Sequence, residues 1–144
     1  QPGTIGTLTL PNRLIRSATA ERMADPAGRP RPPLLDLYRD LALGDVGLII
    51  SGHMFIHPSG KAHPEMTGIH EDALVPALAE LATVVHRNGG RVAAQINHGG
   101  MQCSRDTVSQ TIAPSAIAAP FLSRPPREMT PGEIESIIQA YADA

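Results

Sequence analysis

The segment Gln95-Ile96-Asn97-His98-Gly99-Gly100-Met101-Gln102 gathers the side chains best suited to holding a polar ligand. Gln95 and Asn97 flank Ile96, so in an extended strand their amides point to one face. Each amide carries two N–H donors and a carbonyl acceptor. It can therefore match an imide edge, which presents N–H beside C=O. Gln95 could equally satisfy loop backbone groups, and residue type leaves both roles open. Upstream, Ser17-Ala18-Thr19-Ala20 offers only small side chains, which let a flat ligand approach the backbone.

Histidines supply a second kind of chemistry. His53, His57 and His63 fall within one segment, with His70 at its end. Three imidazoles on a loop could ligate zinc, with Glu65 as a fourth ligand. No cysteine lies nearby and no helical spacing fixes a common face, so ordinary hydrogen bonding is the favoured role. Glu21 and Glu65 are candidate catalytic carboxylates, although lone loop carboxylates are mostly solvated. Several motifs are absent: G-x-G-x-x-G, the phosphate-binding G-x-x-x-x-G-K-[ST], H-E-x-x-H, paired cysteines and G-x-S-x-G. Their absence argues against a self-contained dinucleotide fold, a P-loop enzyme and an α/β-hydrolase.

The chain that must position these residues has 144 of them, the size of one ordinary domain. Twelve basic and fourteen acidic side chains give a net charge of −2. That balance argues against a nucleic-acid or membrane-surface binder. The lone Cys103 cannot form an internal disulfide, and no apolar run reaches the ~18 residues a bilayer requires. Gln1-Pro2-Gly3 has no leader-peptide character, so a reducing, cytoplasmic setting is expected. Aromatic residues make only 3%, so Leu, Ile, Val and Ala must build the core. Glycine and proline together make 27 of 144 residues, well above the usual ~12%. Long, shaped loops between short elements are the expected result.

Periodicity supplies those elements. Thr4–Pro11 reads as a hairpin or an irregular lead-in, and Asn12–Ala18 as a first strand. Asp25-Pro26-Ala27-Gly28 is a turn signal. Leu34, Leu37, Tyr38 and Leu41 follow helical spacing, with Gly44 as the stop. The apolar run Val46–Ser51 fits a strand buried on both faces. A loop over 52–71 follows. Asp72 is placed to cap the next helix, with Leu74, Leu78, Leu81 and Val85 on its buried face. Arg91–Ile96 is the third strand. A loop over 97–129 precedes a strong helix start at Thr130-Pro131-Gly132-Glu133. The order β-α-β-α-β-α indicates a parallel sheet with crossover helices. A doubly wound sheet and a barrel both fit, and both put function in loops after strand ends.

Taken in order, several blocks resemble the old yellow enzyme family of FMN-dependent oxidoreductases. They are Leu10-Pro11-Asn12-Arg13-Leu14-Ile15 with Ser17-Ala18-Thr19, then Gly47-Leu48-Ile49-Ile50-Ser51-Gly52-His53 and Pro58-Ser59-Gly60-Lys61. Gln95-Ile96-Asn97-His98-Gly99-Gly100, Ala113-Pro114-Ser115-Ala116 and Arg127-Glu128-Met129-Thr130 complete the series. His53, Lys61-Ala62-His63-Pro64 and Met101-Gln102 bring it near the bacterial NADH:flavin oxidoreductases and 2,4-dienoyl-CoA reductases. The resemblance implies that residues 1–144 are the N-terminal β-α-β-α-β-α part of a (β/α)8 barrel, incomplete in this chain. It implies FMN at the C-terminal strand ends. Ser17, Ala18 and Thr19 would line the ring, Gly52 would sit against it, and Gln95 would bond its pyrimidine edge. The implied reaction passes hydride from NADH or NADPH through the flavin to an electron-poor alkene or enone. Ala20 stands where relatives often carry a thiol or hydroxyl, and Met101 where many carry arginine.

A (β/α)8 barrel needs about 250 residues. The resemblance places the substrate-anchoring histidine pair, the proton donor and the phosphate cradle beyond residue 144. It therefore implies no catalytic acid and no metal ligand in this chain. Losing two or three charge-assisted phosphate contacts, at about 1.5–3 kcal/mol each, weakens FMN binding by about two to six decades. Exposed parallel edges also permit self-pairing into a homo-oligomer. A non-enzymatic half-barrel assembly module and a histidine-loop metal protein are the alternatives.

Overall fold

A computed structural model describes residues 1–120 and 125–144. Residues 121–124, inside the expected loop 97–129, lie outside the described residues. The chain opens with a hairpin, β1 (Gly3–Ile5) antiparallel to β2 (Leu8–Leu10). Its central sheet is parallel: β3 (Ile15–Arg16), β4 (Leu48–Phe55) and β5 (Val92–Asn97), in that order.

Two helices cross between these strands, α1 (Pro32–Leu43) and α2 (Val75–Arg87). They pack together over one face of the sheet. Leu34, Tyr38, Ala42, Ile49, Leu81 and Val85 form their shared core. The helical spacing seen in the sequence selects Leu34, Tyr38, Leu81 and Val85 among them, while Leu37 and Leu41 of the same stripe are only partly buried. Each large aliphatic buried there contributes about 1.5–3 kcal/mol. After β5 come β6 (Ile112–Ala113), β7 (Arg127–Glu128) and α3 (Pro131–Asp143). Thr130 and Glu133 close the expected capping box on α3.

Several expectations change in extent. The first strand keeps ladder pairing only at Ile15–Arg16. Asn12 explains its late start. Its Nδ2 donates to the Asp45 carbonyl at 2.7 Å and its Oδ1 accepts the Leu14 N–H at 2.9 Å. Side-chain bonds thus take the place of ladder bonds at Asn12 and at the Leu14 N–H, while the Leu14 carbonyl still accepts from Leu48 at 3.2 Å. Strand β4 runs past Ser51 to Phe55, so Gly52 lies within it rather than after it. Asp72 does not cap α2. A 3₁₀ turn over Asp72–Leu74 leads into the helix, and Leu74 caps it without a side-chain bond. The 97–129 segment is structured by the β6–β7 pair and by a 3₁₀ turn at Gly100–Gln102.

Candidate functional site

The site is built around an irregularity in β4. Ile50 pairs with Ala93 and His53 with Gln95, so β4 carries one extra residue there. The Ser51 hydroxyl fills the gap by accepting the Gln95 N–H at 3.0 Å. Gly52 N–H turns away from the ladder and donates to the Tyr38 hydroxyl at 3.1 Å. That hydroxyl donates in turn to Glu21 Oε1 at 3.0 Å. Arg16 completes the network, pairing with Glu21 at 3.0 Å and donating to the Ile50 carbonyl at 3.3 Å. The Glu21 side chain is only 8% exposed. It is therefore a buried structural anion, not the solvated carboxylate its loop position suggests. Burial, and then the Glu21 charge, hold the Tyr38 hydroxyl well above its ordinary pKa, so it stays protonated.

This network ties the loop after β3 to the irregularity in β4. A Cβ on Gly52 would overlap Glu21 Oε2 and lie 2.5 Å from the Thr19 carbonyl oxygen. Only glycine fits between those groups. Thr19 in the loop after β3, Gly52 in β4 and Gln95 in β5 are thus close neighbours. Ser17, Thr19 and Gln95 are exposed, Ala18 is half-buried and Gly52 is buried. The Thr19 hydroxyl donates to the Ser17 carbonyl at 3.3 Å. The Gln95 amide has no hydrogen-bond partner among the described residues. Ala20 is exposed beside them, and Met101 lies half-buried in the turn after β5.

The histidines divide into two groups. His53 Nε2 lies 3.3 Å from His63 Nε2, and Asn97 Nδ2 lies 3.0 Å from His53 Nδ1. Glu65 Oε2 is 3.8 Å from His63 Nδ1. His57 belongs elsewhere. Its Nδ1 meets the Ser59 hydroxyl at 2.7 Å, and that hydroxyl meets His98 Nε2 at 2.9 Å. Gly60 N–H and carbonyl join the same turn, and a Cβ at Gly60 would run into the His98 ring. The histidines proposed for zinc therefore do not converge. Among the described residues no group of three or more His, Cys, Asp or Glu side chains is placed to hold a metal.

Burial lowers the pKa of His53, His63, His70 and His98, and for His98 the neighbouring His57 pushes the same way. Burial lifts the Cys103 thiol to about 11, which leaves it unreactive. The Asn–His53–His63 group carried no signal in the sequence beyond its residue types. Ten residues separate the two imidazoles, and only the fold of the loop after β4 joins them.

A profile of the NADH:flavin oxidoreductase / NADH oxidase family matches residues 1–144. The chain belongs to this family. It is 36% identical to an NADH oxidase of Thermoanaerobacter brockii, over 99% of this chain and 22% of the relative. An NADPH dehydrogenase of Geobacillus sp. (strain WCH70) is 35% identical over 97% of this chain and 41% of its own length. The chain thus spans less than half the length of these curated relatives. Among solved structures, morphinone reductase in complex with tetrahydroNAD superposes with a TM-score of 0.87 at 27% identity. That match covers 99% of this chain and 44% of the reductase. The old yellow enzyme homologue of Zymomonas mobilis gives 0.86 at 28%, over 99% and 42%. These relatives are barrels, so β3-α1-β4-α2-β5 is an incomplete α/β barrel segment. The family is one of FMN-binding flavoproteins. Among the described residues no helix is long and apolar enough to cross a membrane.

The residues present suit such a ring. The Gln95 amide is exposed and, among the described residues, free at both its N–H and carbonyl groups, and Thr19 is exposed nearby, packed over the buried Gly52. Asn97 Oδ1, on the same face of β5 as Gln95, is buried and unpartnered.

Proposed function

We propose that residues 1–144 supply about the first three βα units of an FMN-binding barrel and one wall of its flavin site. The parent protein is an oxidoreductase that takes hydride from NADH or NADPH and delivers it to an electron-poor alkene or enone. The observation supporting this reading is the grouping of Thr19, in the loop after β3, with Gly52 of β4 and Gln95 of β5, the Gln95 amide being unengaged. FMN, when bound, supplies the redox chemistry. The chain's own residues bind and orient. Gln95 donates and accepts along the pyrimidine edge, Ser17, Ala18 and Thr19 border the ring, and Gly52 keeps the wall flat. No acid of this chain is assigned to proton transfer onto the substrate, and this segment alone is inactive.

The test is flavin content. The full-length protein should purify with bound flavin, and Gln95→Leu should weaken FMN binding by about tenfold or more, the value of one lost charge-free bond pair. Full-length protein that cannot be loaded with FMN overturns the reading.

A second reading has its own support. Strand β5 is an edge of the sheet, and Ile138 and Tyr141 on α3 are 59% and 41% exposed. A half-barrel assembly, with itself or a partner, would cover both. Sedimentation distinguishes the two: a monomer that holds FMN excludes the assembly module.

A further inference from the structure

His53 follows Gly52 and pairs in register with Gln95, so its ring borders the wall assigned above to FMN. Its two nitrogens are both engaged. Asn97 lies at Nδ1 and His63 at Nε2, at 3.0 and 3.3 Å. The nearest charge indicates where the protons lie. His63 Nδ1 is buried without a hydrogen-bond partner among the described residues, and its charged neighbour is Glu65 Oε2 at 3.8 Å; that negative charge favours hydrogen on Nδ1, which leaves His63 Nε2 as the acceptor. His53 then donates from Nε2, and its bare Nδ1 accepts from the Asn97 amide. In this resting state Asn97 Oδ1 is buried without a partner.

That orphan oxygen shows what one added proton would do. A proton on His53 Nδ1 converts the ring to a cation with two donors. The Asn97 amide then turns over, and Oδ1 accepts the new N–H. The bond between Asn97 and His53 is kept with its direction reversed, and Nδ2 takes the buried position that Oδ1 leaves. A second proton cannot follow. Placed on His63 Nε2, it would set N–H against N–H at 3.3 Å. The pair is thus a site for one proton and no more.

We propose that His53, held by His63 and Asn97, takes up one proton from solvent when two electrons enter the adjacent cofactor site, and releases it when they leave. The inference rests on the FMN reading above. The electrons come from NADH or NADPH, the proton from water, and no covalent bond forms to the protein. Negative charge gained next to His53 favours the imidazolium. At rest the ring is kept neutral by burial, aided by the Arg22 cation and opposed by Glu21. His63 is kept neutral by burial, Arg22, His53 and Lys61 against Glu65. His53 is a positioning and charge-balancing residue here, distinct from a proton donor to substrate.

Two measurements test this on the full-length, FMN-loaded protein. Nitrogen-15 histidine spectra should show His53 neutral with hydrogen on Nε2 in the oxidised protein, and doubly protonated after dithionite reduction. His63 should remain neutral with hydrogen on Nδ1 in both. Second, the pH dependence of the flavin midpoint potential should show one more proton per two electrons than in the His53→Gln variant. Bound flavin with His53 unchanged on reduction overturns the proposal while leaving the FMN reading intact. Equal proton counts in the parent and a flavin-loaded His53→Gln protein do the same. Protein that binds no flavin overturns both.

Discussion

Replacing Tyr38 with phenylalanine should cost far more than the loss of one oxygen atom. The ring is 1% exposed and packs within the α1–α2 core, so Phe keeps its apolar contacts. What disappears is one hydroxyl with two roles. It accepts the Gly52 N–H at 3.1 Å and donates to Glu21 at 3.0 Å. Leaving a buried N–H unpaired costs about 1–3 kcal/mol, and a bond to a charged partner is worth about 1.5–3 kcal/mol. Arg16 still pairs with Glu21 and softens the second loss. The expected destabilisation is about 2–4 kcal/mol. Urea unfolding of the full-length protein and Tyr38→Phe, followed by circular dichroism, reads this directly. Glu21→Gln combined with Tyr38→Phe should cost less than the sum of the two changes, because the groups act as one network. A Tyr38→Phe cost below about 0.5 kcal/mol, the usual scatter of neutral surface changes, would refute the network as the brace of the β4 irregularity.

Other outcomes follow from the same geometry. Gly52→Ala must displace Glu21 or the Thr19 carbonyl, so it should lower stability by about 1–3 kcal/mol from overpacking, and FMN affinity with it; unchanged flavin titration would place the ring elsewhere. Four histidines have native pKa values below the ordinary 6.5, so the unfolded chain binds more protons than the native one just below that pH. Stability should be full above about pH 6.5 and decline as the pH falls through the lowered native values; urea midpoints that stay flat between pH 7 and 5 contradict this. Residues 1–144 alone should bind FMN about two to six decades more weakly than the full-length protein, and fluorescence titration of both compares them; equal affinities would remove the need for a phosphate cradle elsewhere.

Much of the fold was legible because period and burial coincide in it. Leu34 and Tyr38 on α1, and Leu81 and Val85 on α2, are the sequence stripes and also the buried core. The capping box at Thr130 and Glu133 was legible because its bonds are local. The extent of β4 was not. A continuous apolar run ends at Ser51, but the ladder continues because a serine hydroxyl replaces a backbone carbonyl at the bulge. No periodicity encodes such a substitution. The shortened first strand fails for the same reason, since the Asn12 amide takes the bonds that a ladder would have made. Glu21 shows the limit most clearly. Its loop position suggests solvent, whereas its partners Arg16, Tyr38 and the space above Gly52 come from three different elements.

The buried anion also bears on how the site is held. A buried ion pair is a weak source of stability, because desolvation offsets most of its attraction. Its value here is geometric. Arg16 reaches from β3 to the Ile50 carbonyl of β4, and Tyr38 reaches from α1 to the Gly52 N–H. Glu21 joins both, and it lies only two residues beyond Thr19. The loop after β3 and the irregularity in β4 are therefore locked to each other from beneath. Beside them the Gln95 amide is exposed and unengaged, and the His53 ring is held by His63 and Asn97. A braced loop beside an unengaged amide suits the proposed flat cofactor: such a wall would keep its shape before binding, so the contacts made on binding need not first order the loop.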